Sequence, residues 1–297
     1  MLMNRIGKTT LALGLTVALF AAPAELRAQR VRPDRLQYLA ILMDGNKIGY
    51  AIADFKTKDG KAYTNMKMVM TVGRGAIQLT IEVARRDVET IDGKPLSFTQ
   101  SMKQGPIGQT IEGRIDQAGK LHLTITAGGQ TQKKTMDWPK GAVLEHGADL
   151  ITRKAGLKPG ATVSLKTFDA SSMSTLDVTA TVGKKKKVDL LGRVVMLTEI
   201  TATTKGRRGS MTMATYVDDE HNTLKIVMPM MGMKVELVEC SKKIALGPND
   251  SIDLFSKFIL ASPVPLENLP SRKSISYTIA PTSAEAKLTF PTTDNQT

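Results

Sequence analysis

The stretch Ile77-Gln-Leu-Thr-Ile-Glu-Val83 decides the fold class. Apolar residues fall at every second position, so an extended chain carries Ile77, Leu79, Ile81 and Val83 on one face. Gln78, Thr80 and Glu82 fall on the other. A helix would scatter both sets around its circumference. The apolar face is expected to be buried. Leu121-His-Leu-Thr-Ile-Thr126 and Leu176-Asp-Val-Thr-Ala-Thr-Val182 alternate in the same way. Met66, Met68, Met70 and Val72 share a face opposite Lys67 and Thr71. Met211, Met213 and Val217 repeat the pattern, as do Met233, Val235 and Leu237. Further strands are predicted at 37–43, 48–55, 97–103, 107–115, 162–168, 194–202 and 224–230.

Short turn signals separate these runs: Asp44-Gly45-Asn46, Asp59-Gly60, Asp92-Gly93 and Asp218-Asp219-Glu220-His221-Asn222. Parallel neighbours need long crossovers, and the spacing leaves no room for them here. The expected fold is mainly β: a large curved antiparallel sheet, a meander of hairpins, with one or two short helices packed on it. Two stretches break the alternation. Pro139 to Lys154 carries Val143, Leu144, Ala148, Leu150 and Ile151 in a pattern that suits a short helix. Pro248 to Leu260 has Asn249 or Asp250 as a cap, then Ile252, Phe255, Phe258 and Ile259 at helical spacing.

The first residues carry Arg5 and Lys8 and no acid, ahead of an apolar run from Leu11 to Ala22. That run is too short to span a bilayer, which takes about 20 residues, and fits the core of a secretory signal. Ala22-Pro-Ala24 and Leu26-Arg-Ala28 both satisfy the cleavage rule, and the sequence leaves the choice open. The expected organisation is a signal peptide over 1–28 and an antiparallel β domain over 29–246. A short helix and Pro-rich linker follow at 247–270, then a terminal strand and polar tail at 271–297 that read as the start of a further domain. The expected location is periplasmic or secreted, with no membrane span after cleavage.

Composition narrows the function. The net charge is +13, the single cysteine Cys240 can form no intramolecular disulfide, and aromatics make up 4% with Trp138 the one tryptophan. Sugar-binding faces and single-stranded nucleic acid grooves rely on exposed aromatic platforms, so both are disfavoured. Methionine numbers 16, and flexible thioethers suit either an irregular core or an accommodating apolar groove.

Catalytic signatures are missing: no nucleophile elbow, no Ser-x-x-Lys pair, no phosphate-cradling glycine loop and no His-Glu-x-x-His. The three histidines, His122, His146 and His221, are not spaced as zinc ligands. Asp218-Asp219-Glu220-His221 offers oxygen ligands but lacks the alternating spacing of a calcium loop, and reads as a hairpin turn. No catalytic, cofactor or metal residue is therefore assigned. The candidate anion-contacting residues are Lys184, Lys185, Lys186 and Lys187, expected in a loop joining two strands, together with Arg207 and Arg208 in another turn. Their plain alternative is a solvated loop. For an exported chain, the polyanions in question are lipid headgroups or envelope polymers rather than nucleic acid.

Leu39-Ala-Ile-Leu-Met-Asp-Gly-Asn-Lys-Ile-Gly-Tyr50, Leu157-Lys-Pro-Gly160, Tyr216-Val-Asp-Asp219 and Met231 through Ala245 occur in an order that resembles a known family. It is the β-rich region ahead of the catalytic core in bacterial exported transglutaminase-like proteins, and the resemblance covers roughly 37–280. It implies a β module without chemistry of its own, since that family's Cys-His-Asp triad lies downstream and nothing here matches it. Three readings follow: a non-catalytic recognition or scaffolding module, a periplasmic carrier of lipid or another apolar ligand, and a fragment of a longer transglutaminase-like enzyme.

Overall fold

A computed structural model describes residues 33–74, 77–206, 209–230 and 232–250, and Pro265. The signal peptide, the helix expected beyond Asp250 and the terminal strand lie outside the described residues. Residues 248–250 themselves are not helical.

Fifteen strands form one sheet. The first eight are β1 Arg35–Met43, β2 Asn46–Lys58, β3 Lys61–Arg74, β4 Ile77–Thr90, β5 Pro95–Gln104, β6 Ile107–Ile115, β7 Lys120–Ala127 and β8 Gln130–Asp137. After the short β9 Ala142–Val143 comes helix α1 Glu145–Ala155. Then follow β10 Thr162–Asp169, β11 Ser174–Leu190, β12 Arg193–Gly206, β13 Gly209–Val217, β14 Thr223–Met230, β15 Met233–Cys240 and a one-turn helix α2 Lys242–Ala245. Every strand predicted from alternation is present, and most extend by a few residues.

The order across the sheet runs from β8 down to β1, then from β15 down to β9. Each half is a meander of sequence neighbours, and the single long-range ladder joins β1 to β15 in the middle. The sheet is antiparallel, as expected, at every ladder but one. β9 and β10 pair in parallel, because α1 supplies the crossover between them.

Simple geometry shows that the sheet must roll up. Fifteen flat strands spaced about 4.8 Å apart would be roughly 67 Å wide. Yet the two edge strands are joined by residues 138–141 alone, a link that reaches at most about 18 Å. Aromatic packing closes this seam. Trp138 donates from Nε1 to the Ala142 carbonyl at 3.1 Å, and its ring lies 5.0 Å from that of Phe168. Phe168 in turn meets Phe98 of β5 at 5.5 Å. One core cluster therefore mixes residues from both halves, with Ile111, Leu121 and Leu123 beside Ala142, Leu144 and Ala170.

The middle of the sheet is buried on both faces. Leu39, Ile41 and Met43 of β1 join Met233, Val235 and Leu237 of β15 on one face. Ala40, Leu42 and Val238 on the other are covered by Val188, Leu190 and Leu197 from the tip of the β11–β12 hairpin. A bulge between Val182 and Lys185 bends that hairpin over the sheet.

α1 is shorter than expected, because residues 142–143 are strand. It lies across one end of the roll. Its N-terminus is held by β4, where Glu89 accepts from the amides of His146 at 2.6 Å and Gly147 at 2.9 Å. Its C-terminal half reaches the β13–β14 turn, where Arg153 donates to the Glu220 carbonyl at 2.7 Å. We call this the capped end; the turns 44–45, 105–106, 128–129 and 232 lie at the opposite, distal end.

Candidate functional site

Residues directly opposite in an antiparallel ladder share a face. Following the registers from Met102 to Val83, Met68, Ala51 and Leu39 carries one face from β5 to β1. From Ile41 it continues through Leu237, Ile226 and Thr215 to β13. This face holds Met66, Met68 and Met70 on β3, Met211 and Met213 on β13, and Met228 and Met230 on β14. At the centre it is closed, since Ile41 and Ile48 are fully buried. Toward the distal end it opens: Met68, Met70, Leu79, Ile81 and Val83 are half-buried, and Met102 is exposed.

This corrects the reading of residues 77–83. Their apolar face is real, but it lines a concavity rather than a sealed core, so Leu79, Ile81 and Val83 keep part of their surface. Glu82, on the other side, pairs with Lys67 at 3.3 Å.

Toward the capped end the same face turns polar. Along β4, Leu79, Ile81 and Val83 give way to Arg85, Asp87 and Glu89, opposite Met66, Thr64 and Ala62 of β3. Arg85 holds Asp87 through Nε at 3.0 Å and a second nitrogen at 2.9 Å. Asp87 is almost wholly buried, and Glu89 is 0% exposed. Burial pushes the Glu89 carboxyl up to about 7; the amides of Gly147 and His146 oppose the rise, and the charges of Asp87 and Glu145 add to it. His146 bonds through Nε2 to the Ile91 carbonyl at 2.9 Å and packs its ring 5.4 Å from Phe55. The result is an apolar, methionine-rich inner face, half-buried toward the distal end, with a tied-down polar cluster under α1 at its other end.

The lysine run is not a connecting loop. Lys184 to Lys187 lie within β11, all exposed, because the strand continues past its bulge into the hairpin tip. Two of the four charges are matched: Lys185 meets Asp219 at 2.5 Å, and Lys186 meets Glu199 at 2.5 Å. The Glu199 hydrogen bond holds the Lys186 ammonium above its usual value, and the same contact holds Glu199 below its own. Lys186 also sits 5.3 Å over the ring of Tyr216. Lys184 and Lys187 have no ion pair among the described residues. Arg207 and Arg208 lie outside the described residues; the strands they follow and precede meet at the distal end.

Asp218 to His221 form a hairpin turn. Asp218 accepts from the amides of Glu220 at 3.0 Å and Asn222 at 2.7 Å, and from the Asn222 side chain. Burial, then the Arg153 charge, hold the His221 imidazole low. Among the described residues no group of three or more His, Cys, Asp or Glu side chains is placed to hold a metal ion. Cys240 lines a cleft of about 330 Å³ with Leu190, Leu191, Arg193 and Ile244, and burial pushes its thiol up. What sequence reasoning missed is Glu89. Its partners stand 57 and 58 positions away, so no local signal marks it.

The chain matches no known family and no curated protein. Its fold resembles the crystal structure of a β-barrel-like protein of a domain of unknown function, DUF1849, from Brucella abortus. The TM-score is 0.54 at 15% identity, over 71% of this chain and 98% of that one. At that identity the likeness concerns fold alone. Over the described residues the chain is thus a rolled, barrel-like sheet, mainly antiparallel, with helix α1 across one end.

Proposed function

We propose that this chain is a non-catalytic exported binding module that holds an apolar ligand, such as an acyl chain, against its methionine-lined face. The observation that carries the reading is the half-exposed run of Met68, Met70, Leu79, Ile81, Val83 and Met102 on the inner side of a rolled sheet. Apolar surface left open in this way costs about 25 cal/mol per Å², so a molecule that keeps it gains by covering it. Methionine is suited to the task, because its unbranched thioether repacks around guests of different shape. The kinship with the amino-terminal region of transglutaminase-like proteins belongs to the same proposal. It is supported by the order of motifs from Leu39 to Ala245, and it points to a module that binds rather than reacts.

Protein released from its own envelope without detergent should retain lipid. Native mass spectrometry of that material, read beside uptake of a dansyl-labelled fatty acid by the stripped protein, tests the reading. A mass equal to the polypeptide alone, with no uptake, refutes it.

A further inference from the structure

Hairpin tips at a protein surface are ordinarily polar, because they stand in water. At the capped end Asp59-Gly60, Asp92-Gly93, Asp116 to Gly119 and Asp218 to Asn222 follow the rule, with Ile91 (42% exposed) and the folded-over β11–β12 tip, where Leu191 is 40% and Val194 61% exposed, as exceptions. Two turns at the distal end do not. The β5–β6 tip reads Gln104-Gly-Pro-Ile107, and the β14–β15 tip is bracketed by Pro229-Met230 and Gly232-Met233. Ile107 is 75% exposed, Met102 47%, and Met211 and Met230 40% each. All four stand at the end where the methionine-lined face opens.

Two cations at this end stand without a partner acid. Lys103 of β5 and Lys205 of β12 are exposed and have no ion pair among the described residues. The acids opposite them in the ladders, Glu82 and Asp177, bond to Lys67 and Lys166 instead, which leaves a surplus cation on each side. The nearby turns carry two carboxylates, held by neutral donors rather than by these lysines: Asp44 accepts from the Lys234 amide at 2.9 Å, and Asp169 from the hydroxyl of Ser171 at 2.6 Å. The whole chain carries +13.

We infer that the distal end docks on an anionic lipid bilayer, with Ile107 and Met230 entering the headgroup region and Lys103 and Lys205 meeting the lipid charge. Apolar tips flanked by lysine suit that interface, where rings and methyl groups leave water while ammonium groups stay in it. Docking there would bring the methionine-lined face to a source of acyl chains, so the inference adds a delivery surface to the proposed function. The lysine run on β11 lies on the flank of the barrel and plays no part.

The test is co-sedimentation of the full exported protein with vesicles of phosphatidylcholine and phosphatidylglycerol at 3:1, against phosphatidylcholine alone. Ile107→Asp with Met230→Asp is expected to lower the partition coefficient about a hundredfold, roughly tenfold for each side chain of this size that leaves water. Lys103→Gln with Lys205→Gln is expected to lower it about 25-fold, roughly fivefold per cation, and only with the anionic vesicles. Lys184→Gln with Lys187→Gln should change it less than about twofold, because charges more than a screening length of about 10 Å from the surface are damped. All six positions are exposed, so melting temperatures should stay near wild type; if the aspartate pair does not fold, the lysine pair decides. Binding unaffected by both distal pairs overturns the inference, as does an absence of vesicle binding in wild type. So does a solution dimer that Ile107→Asp dissolves, which would make a second copy the occupant. Vesicle binding lost while co-purified lipid persists would leave the carrier reading intact, and lipid absent while docking persists would remove the carrier reading alone.

Discussion

Glu89 makes the interior of the barrel sensitive to pH, with a sign that can be worked out. Its carboxyl has an ordinary value of 4.5 in the unfolded chain and about 7 in the folded one, because burial outweighs the two amide hydrogen bonds. The folded state therefore binds the proton more tightly. The stabilisation linked to that proton is fully present below about 4.5 and is lost as pH rises through about 7. A shift of this size, at about 1.4 kcal/mol per unit, corresponds to about 3 kcal/mol. Glu89→Gln removes the titration and leaves one helix amide facing a donor, which costs about 1–3 kcal/mol at any pH. The measurement is urea denaturation of wild type and Glu89→Gln at pH 5, 6, 7 and 8. Arg85, Asp87, Glu145 and His146 surround the carboxyl in both proteins, so the difference between the two isolates Glu89. The deficit of the variant should be largest at pH 5 and shrink by about 3 kcal/mol toward pH 8. A deficit that stays constant, or widens with pH, would falsify the account of a desolvated carboxylate under α1.

Other outcomes follow from packing. Phe55→Ala should lose about 3–5 kcal/mol in the same denaturation assay, since Phe55 is 2% exposed and packs on His146. Gly49→Ala should cost more than about 2 kcal/mol, because its methyl group would stand 2.0 Å from the Val69 carbonyl oxygen, and backbone cannot yield as a side chain can. Ile41→Asp should abolish the thermal transition, whereas Leu79→Asp, on the half-buried part of the same face, should lower stability by only about 1–2 kcal/mol; equal effects would mean that the distal concavity is sealed. Iodoacetamide should label Cys240 more slowly at pH 7 than a free cysteine peptide, because burial keeps the thiol protonated.

Alternation made the strands legible wherever one face meets apolar neighbours, as at 37–43 and 107–115. It failed where neither face does. β8 reads Gln-Thr-Gln-Lys-Lys-Thr-Met-Asp, almost wholly exposed at the sheet edge, and only its ladder to β7 makes it a strand. Lys184 to Lys187 failed for a related reason. Their strand is defined by pairing with 196–198 and by Asp219 and Glu199, partners that charge clustering does not announce. The methionines were legible as one face, but the extent of its burial was not, because burial depends on how far the sheet rolls. The polar cluster under α1 was least legible. Glu89 looks like any acid near the end of a strand until the helix arrives from the far side of the barrel.

The meeting of β1 and β15 has a consequence for how the molecule assembles. Every other antiparallel ladder in the sheet joins consecutive strands, so hairpins on either side can form as soon as their own residues are available. β1 alone must wait for a partner about 200 positions later, at the opposite end of the described chain. Until then its central residues, Leu39, Ile41 and Met43, lack half of their cover. A chain made amino terminus first thus leaves this apolar strand half-covered until nearly all of the described residues have followed. An unpaired apolar edge of this kind is open to pairing with another chain, and the zipping of β15 onto it is the step that closes it.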